Sequence, residues 1–184
     1  MDATYVEQTL MTETIAREGL TAASPKAQFL DALEREHATT LKVLRAYPAS
    51  QSEMRPHETA RTARELAFVF TLNEGMIDAV LSGPLQFPPQ FPPTPSSWEG
   101  VMEAFEQTHA RAVDTVRATP EEQLFEQVTF PVGKNQMADV PKMQVLWMML
   151  MDQVHHRGQL SVYLRKTGSK VPSIYGPSAD EPWF

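Results

Sequence analysis

The sequence predicts an all-α fold: a four-helix bundle with long crossover connections and an irregular C-terminal tail. Three observations predict it. Four segments carry apolar residues at three- and four-residue steps, each long enough for a helix. Long connections without helical period separate them. No segment shows the period-two alternation of a half-buried strand convincingly. Amphipathic helices of this kind bury their stripes against one another, which is a bundle.

The elements follow in order. Residues 1–22 are a lead-in, in which Val6, Leu10 and Ile15 lie loosely on one side of a helix over Thr4–Arg17. Ser24-Pro25 gives a firmer start, Ser as N-cap and Pro at the first helical position. From there Phe29, Leu30, Leu33, His37, Leu41 and Leu44 form one face of a helix over about 25–46, ended by Pro48. A second helix spans about 60–82, with Leu66, Phe68, Val69, Phe70, Leu72, Met76, Ile77, Val80 and Leu81, and Gly83-Pro84 stops it. The Pro-rich stretch Pro84–Pro95 is an extended surface crossover. Ser96 and Glu99 have capping-box spacing and open a third helix to about 117. Thr119-Pro120-Glu121-Glu122 starts a short helix. Residues 124–139 form a long connection with room for a brief extended pair. The fourth helix runs over about 140–167 and ends at Gly168. The tail, 168–184, is irregular, but Ile174, Tyr175, Trp183 and Phe184 should pack it down.

Composition narrows the function. The 184 residues suit one domain, 1–184, with a substantial core. A net charge of −7 argues against nucleic-acid binding, which asks for a basic face. The absence of cysteine removes disulfides, thiolate ligands and a cysteine nucleophile. No apolar run reaches a membrane span and no signal peptide is visible, so a cytoplasmic protein is expected.

The chemistry is expected on the fourth helix. Met151 to Arg165 strings ionisable residues along a side that should be buried. Asp152 and His156 are four apart and project from one face. They suit either a local ion pair or two ligands of one divalent ion. Gln159 and Tyr163 extend the same stripe, while His155 points elsewhere. Gly158 in mid-helix costs roughly 1 kcal/mol relative to Ala, so another helix or the tail should approach it closely. Of the other histidines, His37 reads as buried and satisfied, and His57 and His109 as surface residues.

These residues carry a resemblance. The run His155-His156-Arg157-Gly158-Gln159-Leu160-Ser161-Val162-Tyr163-Leu164-Arg165, followed by Val171 to Glu181, resembles the C-terminal signature of the DinB (DinB/YfiT-like) family. Arg64 to Glu74 resembles its second helix more weakly. The resemblance implies a bundle, commonly a homodimer, with nickel or zinc on three histidines: one on the second helix and a His-x-x-x-His pair on the fourth. Here His156 matches the last of these. Asp152 stands in for the first of the pair, and Val69 occupies the second-helix position. Asn73 and Glu74 are near enough to compensate. The chain thus resembles a divergent member with an incomplete triad. The implied function is a metal-dependent enzyme acting on a small molecule, either a hydrolase or a transferase using a low-molecular-weight thiol. The alternative is a non-catalytic dimeric bundle with a degenerate site, serving binding or stress response. A third reading, a binder of apolar small molecules in the Met- and Phe-rich interior, leaves the polar stripe unused.

Overall fold

Ser24 opens the first helix: its hydroxyl accepts the Ala27 N–H, and Pro25 fills the first helical position. In the computed structural model, which describes residues 23–184, four long helices follow: α1 (Pro25–Ala46), α2 (Ala63–Ser82), α3 (Trp98–Ala118) and α4 (Lys142–Lys166). The helix expected over Thr4–Arg17 lies outside the described residues. Thr62 and Glu65 form a reciprocal capping box at the start of α2. Ser97, and not Ser96, caps α3, accepting the Gly100 N–H at 3.0 Å. Gly168, at φ +78°, supplies the left-handed residue just beyond α4.

The connection after α3 contains a single-turn helix (Glu121–Phe125) and an antiparallel hairpin, β1 (Gln127–Gly133) with β2 (Gln136–Pro141). The extended pair is therefore longer than the sequence suggests. Its alternation is weak because only Phe130 and Val140 are buried.

Cross-links fix the helix directions. Trp98 Nε1 donates to the Leu44 carbonyl and Lys26 Nζ to the Arg117 carbonyl, so α1 and α3 are antiparallel. Arg64 reaches the Pro95 carbonyl and Thr115 Oγ1 reaches Asp78, so α2 and α3 run parallel. Tyr163 on Arg61 and Asn73 on Asp152 make α4 antiparallel to α2. The bundle is up-down-down-up, with each of α1 and α2 wedged between α3 and α4. Parallel neighbours need a connection as long as the helix, about 1.5 Å for each residue of α2. The Pro-rich crossover, at about 3.1 Å per residue, has that reach. No helix among the described residues is long and apolar enough to cross a membrane.

Two hydrophobic clusters fill the bundle. One holds Leu44, Phe70, Trp98, Phe105, Leu160 and Leu164; the other holds Phe29, Leu33, Ile77, Val113, Leu146 and Leu150. A buried polar layer lies between them along all four helices: His37 and Thr40 on α1, Asn73 and Glu74 on α2, His109 on α3, Gln153 and Arg157 on α4. That layer places the site.

Two features of α4 differ from expectation. Val162 is 58 % exposed although its place in the run suggested a core residue. Nothing lies within 4 Å of where a Cβ on Gly158 would sit, so neither the tail nor another helix closes on it.

Candidate functional site

The polar layer has two halves, one on each side of α2. In the first, His37, Glu74 and His109 come from three helices and place one ligand atom each within 4.8 Å of the others. Glu74 is fully buried. Its carboxylate lies 3.2 Å from His109 Nδ1 and 3.6 Å from His37 Nδ1. The two imidazoles stack, with centroids 3.5 Å apart and planes 13° from parallel, so both Nδ1 atoms turn toward one carboxylate. His109 Nε2 faces Glu34 at 3.4 Å. Burial works against a charged His109 ring. The hydrogen bond and charge of Glu74, and then those of Glu34, outweigh it and raise the His109 pKa above the ordinary histidine value.

One proton cannot satisfy this cluster. A doubly protonated His109 answers one oxygen of Glu74 and Glu34. It leaves His37 Nδ1 and Glu74 Oε1 facing each other at 3.6 Å, buried and not hydrogen-bonded. Such orphans are costly in an interior and call for an explanation. Two imidazole nitrogens and a carboxylate are the donor set of divalent zinc or nickel sites, and three protein ligands leave a coordination position open. The Glu34 carboxylate can hold the Nε2–H of His109, which frees Nδ1 to ligate.

The second half contains the residues that the sequence singled out. Asp152 and His156 do converge: Asp152 Oδ2 is 3.3 Å from His156 Nε2. Asn73 Nδ2 donates to that same Asp152 oxygen at 2.9 Å, so Asn73 stands beside the pair with its N–H, not a lone pair, turned to it. His156 Nδ1 meets Gln159 Oε1 at 2.9 Å, and the Gln159 amide nitrogen meets His155 Nε2 at 2.9 Å. Val69 is buried one turn before Asn73 and offers no ligand. Gln159 and Tyr163 line an open groove of about 620 Å³ with Thr59, Ala60, Arg61 and Leu66. Every polar member of this half has a partner within it, and the Asp152 side chain is 43 % exposed. Glu74 joins the other half, since successive residues of a helix diverge by about 100°.

Two expectations are corrected. His109 is buried, not a surface residue, and His37 is buried but not satisfied. The missed signal was present in the pattern: His109 continues the inward series Phe105, Ala112, Val113 and Val116, as His37 continues Phe29, Leu33 and Leu41. A histidine at an inward position on two different helices asks for a shared partner, and Glu74 is that partner.

Comparison with known proteins agrees with the geometry of the fold. Residues 17–183 match the model of the DinB family. The chain is 26 % identical over 154 residues to the uncharacterized protein YrdA of Bacillus subtilis (strain 168), covering 83 % of this chain and 89 % of YrdA. A DinB-like protein from Bacillus cereus ATCC 10987 superposes with a TM-score of 0.65 at 22 % identity, over 80 % of this chain and 95 % of that one. YfiT from Bacillus subtilis, described as a probable metal-dependent hydrolase with an unusual four-helix bundle topology, superposes with a TM-score of 0.61 at 14 % identity, over 82 % and 92 %. Two parallel adjacent helices, a Pro-rich crossover and a polar layer at mid-bundle are therefore those of a member of the DinB family, to which this chain belongs.

Proposed function

We propose that this chain is a metal-dependent DinB protein that holds its divalent ion, zinc or nickel, on His37, Glu74 and His109. One observation carries the reading: ligand atoms of His37, Glu74 and His109 converge within 4.8 Å in the bundle interior, with His37 Nδ1 and Glu74 Oε1 facing each other at 3.6 Å and not hydrogen-bonded. An ion bound there supplies Lewis acidity to a polar substrate. The protein's own part is to hold His109 through Glu34 and to present the open side of the cluster, where the His37 and His109 side chains keep 11 % and 10 % of their surface exposed. With no cysteine in the chain, a sulfur nucleophile must come from a low-molecular-weight thiol cosubstrate. The chemistry is then thiol transfer or hydrolysis of a small molecule. YfiT's description as a metal-dependent hydrolase supports the metal-dependent class.

A second reading rests on Asn73. The trio Asn73, Asp152 and His156 is a weaker ion site at the position where the family resemblance put one. In the present geometry Asp152 is already hydrogen-bonded, and its carboxylate serves to fix His156. A second copy of the chain is the expected partner, because α4 exposes Met151 and Val162 beside the bare backbone of Gly158.

The test is metal analysis of purified protein loaded with zinc or nickel. Near one equivalent is expected for the wild type and for Asp152→Ala with His156→Ala, and little for Glu74→Gln or His37→Ala. The opposite pattern moves the ion to the second trio. Absence of metal from every form, with no turnover of a thiol and an electrophile, leaves the degenerate non-catalytic bundle as the function.

A further inference from the structure

Outside the polar layer lies an unexplained cleft on α2 and α3, roofed by the Pro-rich crossover. We infer that this cleft binds an amphipathic organic anion, an alkyl or aryl carboxylate, with its apolar body beneath the crossover and its carboxylate on Arg111.

Space comes first. The cleft encloses about 600 Å³, within the range of small-molecule pockets, and its walls are chiefly Leu72, Met76, Leu85, Phe87 and Phe91. It exists because the α2 face beneath the crossover carries small residues, Gly75 and Ala79. A Cβ on Gly75 would meet only the Thr108 methyl, at 3.8 Å, so nothing from the protein fills the floor. The roof cannot collapse into a helix or a ladder, since its prolines lack N–H donors. Phe87 is also tied to the hairpin by an edge-on contact with Phe130, at 5.9 Å between centroids. The protein thus holds an apolar slot open and leaves Phe91 53 % exposed at its edge.

Charge selects the ligand class. The chain carries a net charge of −7, and Arg35, Arg45, Arg64, Arg117, Arg157 and Arg165 each have a carboxylate partner. Arg111 lines the cleft and, like Arg55 and Arg61 elsewhere, has none among the described residues; its Nη2 donates to Thr108 Oγ1 at 2.9 Å. A guanidinium fork beside an apolar slot suits a planar carboxylate, which it can grip with two bonds. Thr71, also on the floor, is nine-tenths buried and keeps a hydroxyl with no partner. A cationic or wholly apolar ligand would leave the Arg111 guanidinium unanswered.

The experiment is isothermal titration of the full chain with decanoate and 4-phenylbutyrate, and with 4-phenyl-1-butanol as the neutral control. It is run on metal-stripped protein, so that a failure of the metal reading does not affect it. One saturable site is expected for the acids. Arg111→Ala should weaken acid binding about tenfold or more, the loss of one charge-assisted contact, and leave the alcohol unchanged. Arg111→Lys should fall between. Ala79→Phe, at an exposed position on the floor, should block acids and alcohol alike, with Ala79→Leu as the milder version if the larger ring lowers the melting midpoint. No saturable binding of either acid to the wild type overturns the inference. So does acid binding that ignores Arg111→Ala, or binding that survives both substitutions at Ala79.

Discussion

Glu74→Gln changes one oxygen to an amide nitrogen at the centre of the bundle and removes the only anionic ligand of the trio. The size of its effect can be worked from the orphaned atoms. His37 Nδ1 and Glu74 Oε1 face each other at 3.6 Å, beyond hydrogen-bond reach, and so count as one unmade buried contact, which costs about 1–3 kcal/mol. The metal-free protein is therefore about 1–3 kcal/mol less stable than one in which that contact is satisfied. An ion at a thousand times its dissociation constant stabilises by about 4 kcal/mol. For a chain of this length each kcal/mol moves the melting midpoint by about 2–4 °C, so saturating zinc or nickel should raise it by on the order of 10 °C. The assay is a thermal melt of chelator-stripped protein with and without the ion. Glu74→Gln keeps the shape of the residue, so it should melt near the metal-free wild type and respond to the ion by less than about 2 °C. A full metal response in Glu74→Gln would refute the assignment. So would a wild-type response that vanishes with His156→Ala and not with Glu74→Gln.

Two further outcomes are expected. The Thr62 backbone N–H, donating to the Glu65 carboxylate at 2.8 Å, is the main cause holding that carboxyl below the usual glutamate range. A lowered folded value contributes stability above the ordinary glutamate pKa, and the contribution is lost as pH falls through the folded value. Urea melts taken from pH 6 down to pH 3 should therefore lose stability more steeply in the wild type than in Glu65→Gln, and parallel curves would show that the capping box does not titrate as described. Light scattering should give a dimer mass for the wild type at tens of micromolar and a folded monomer for Val162→Lys; a monomeric wild type removes the self-association reading of α4.

Helices were legible where the apolar period was unbroken and the caps were ordinary. Ser24-Pro25 and the 25–46 stripe fixed α1 to the residue, because one capping hydroxyl and one proline each act locally. The hairpin was harder, since its burial comes from Phe130 and Val140 alone while its other residues face solvent or the rim. Pairing Asp152 with His156 was legible from their spacing, as both belong to one helix. Of the trio His37, Glu74 and His109 only the inward spacing of the two histidines was legible; their meeting with Glu74 joins three helices whose order around the bundle is set by a crossover that sequence spacing does not encode. Val162 and Met151 are exposed on the face of α4 that also carries Gly158, over which no neighbour closes.

The polar layer itself argues for function. Hydrophobic clusters above and below it would fuse into one core if the inward positions at 37, 74, 109, 153 and 157 were apolar. Replacing buried ionic groups with apolar ones of similar volume is often neutral or stabilising, so stability alone does not keep them. Part of the layer has a structural task. Arg157 pairs with Glu36 at 2.6 Å, bonds Thr40 and meets the hydroxyl of Tyr175, which pins the tail against α1 and α4. Those groups are fully answered. Asp152, His156 and Asn73 answer one another in the same way. Only on the α1–α3 side does the layer leave buried imidazole and carboxylate atoms without partners, and only there do the ligand atoms of three acidic or imidazole side chains converge among the described residues. That convergence, with the His37–Glu74 contact left long at its centre, is what the proposed cation site rests on.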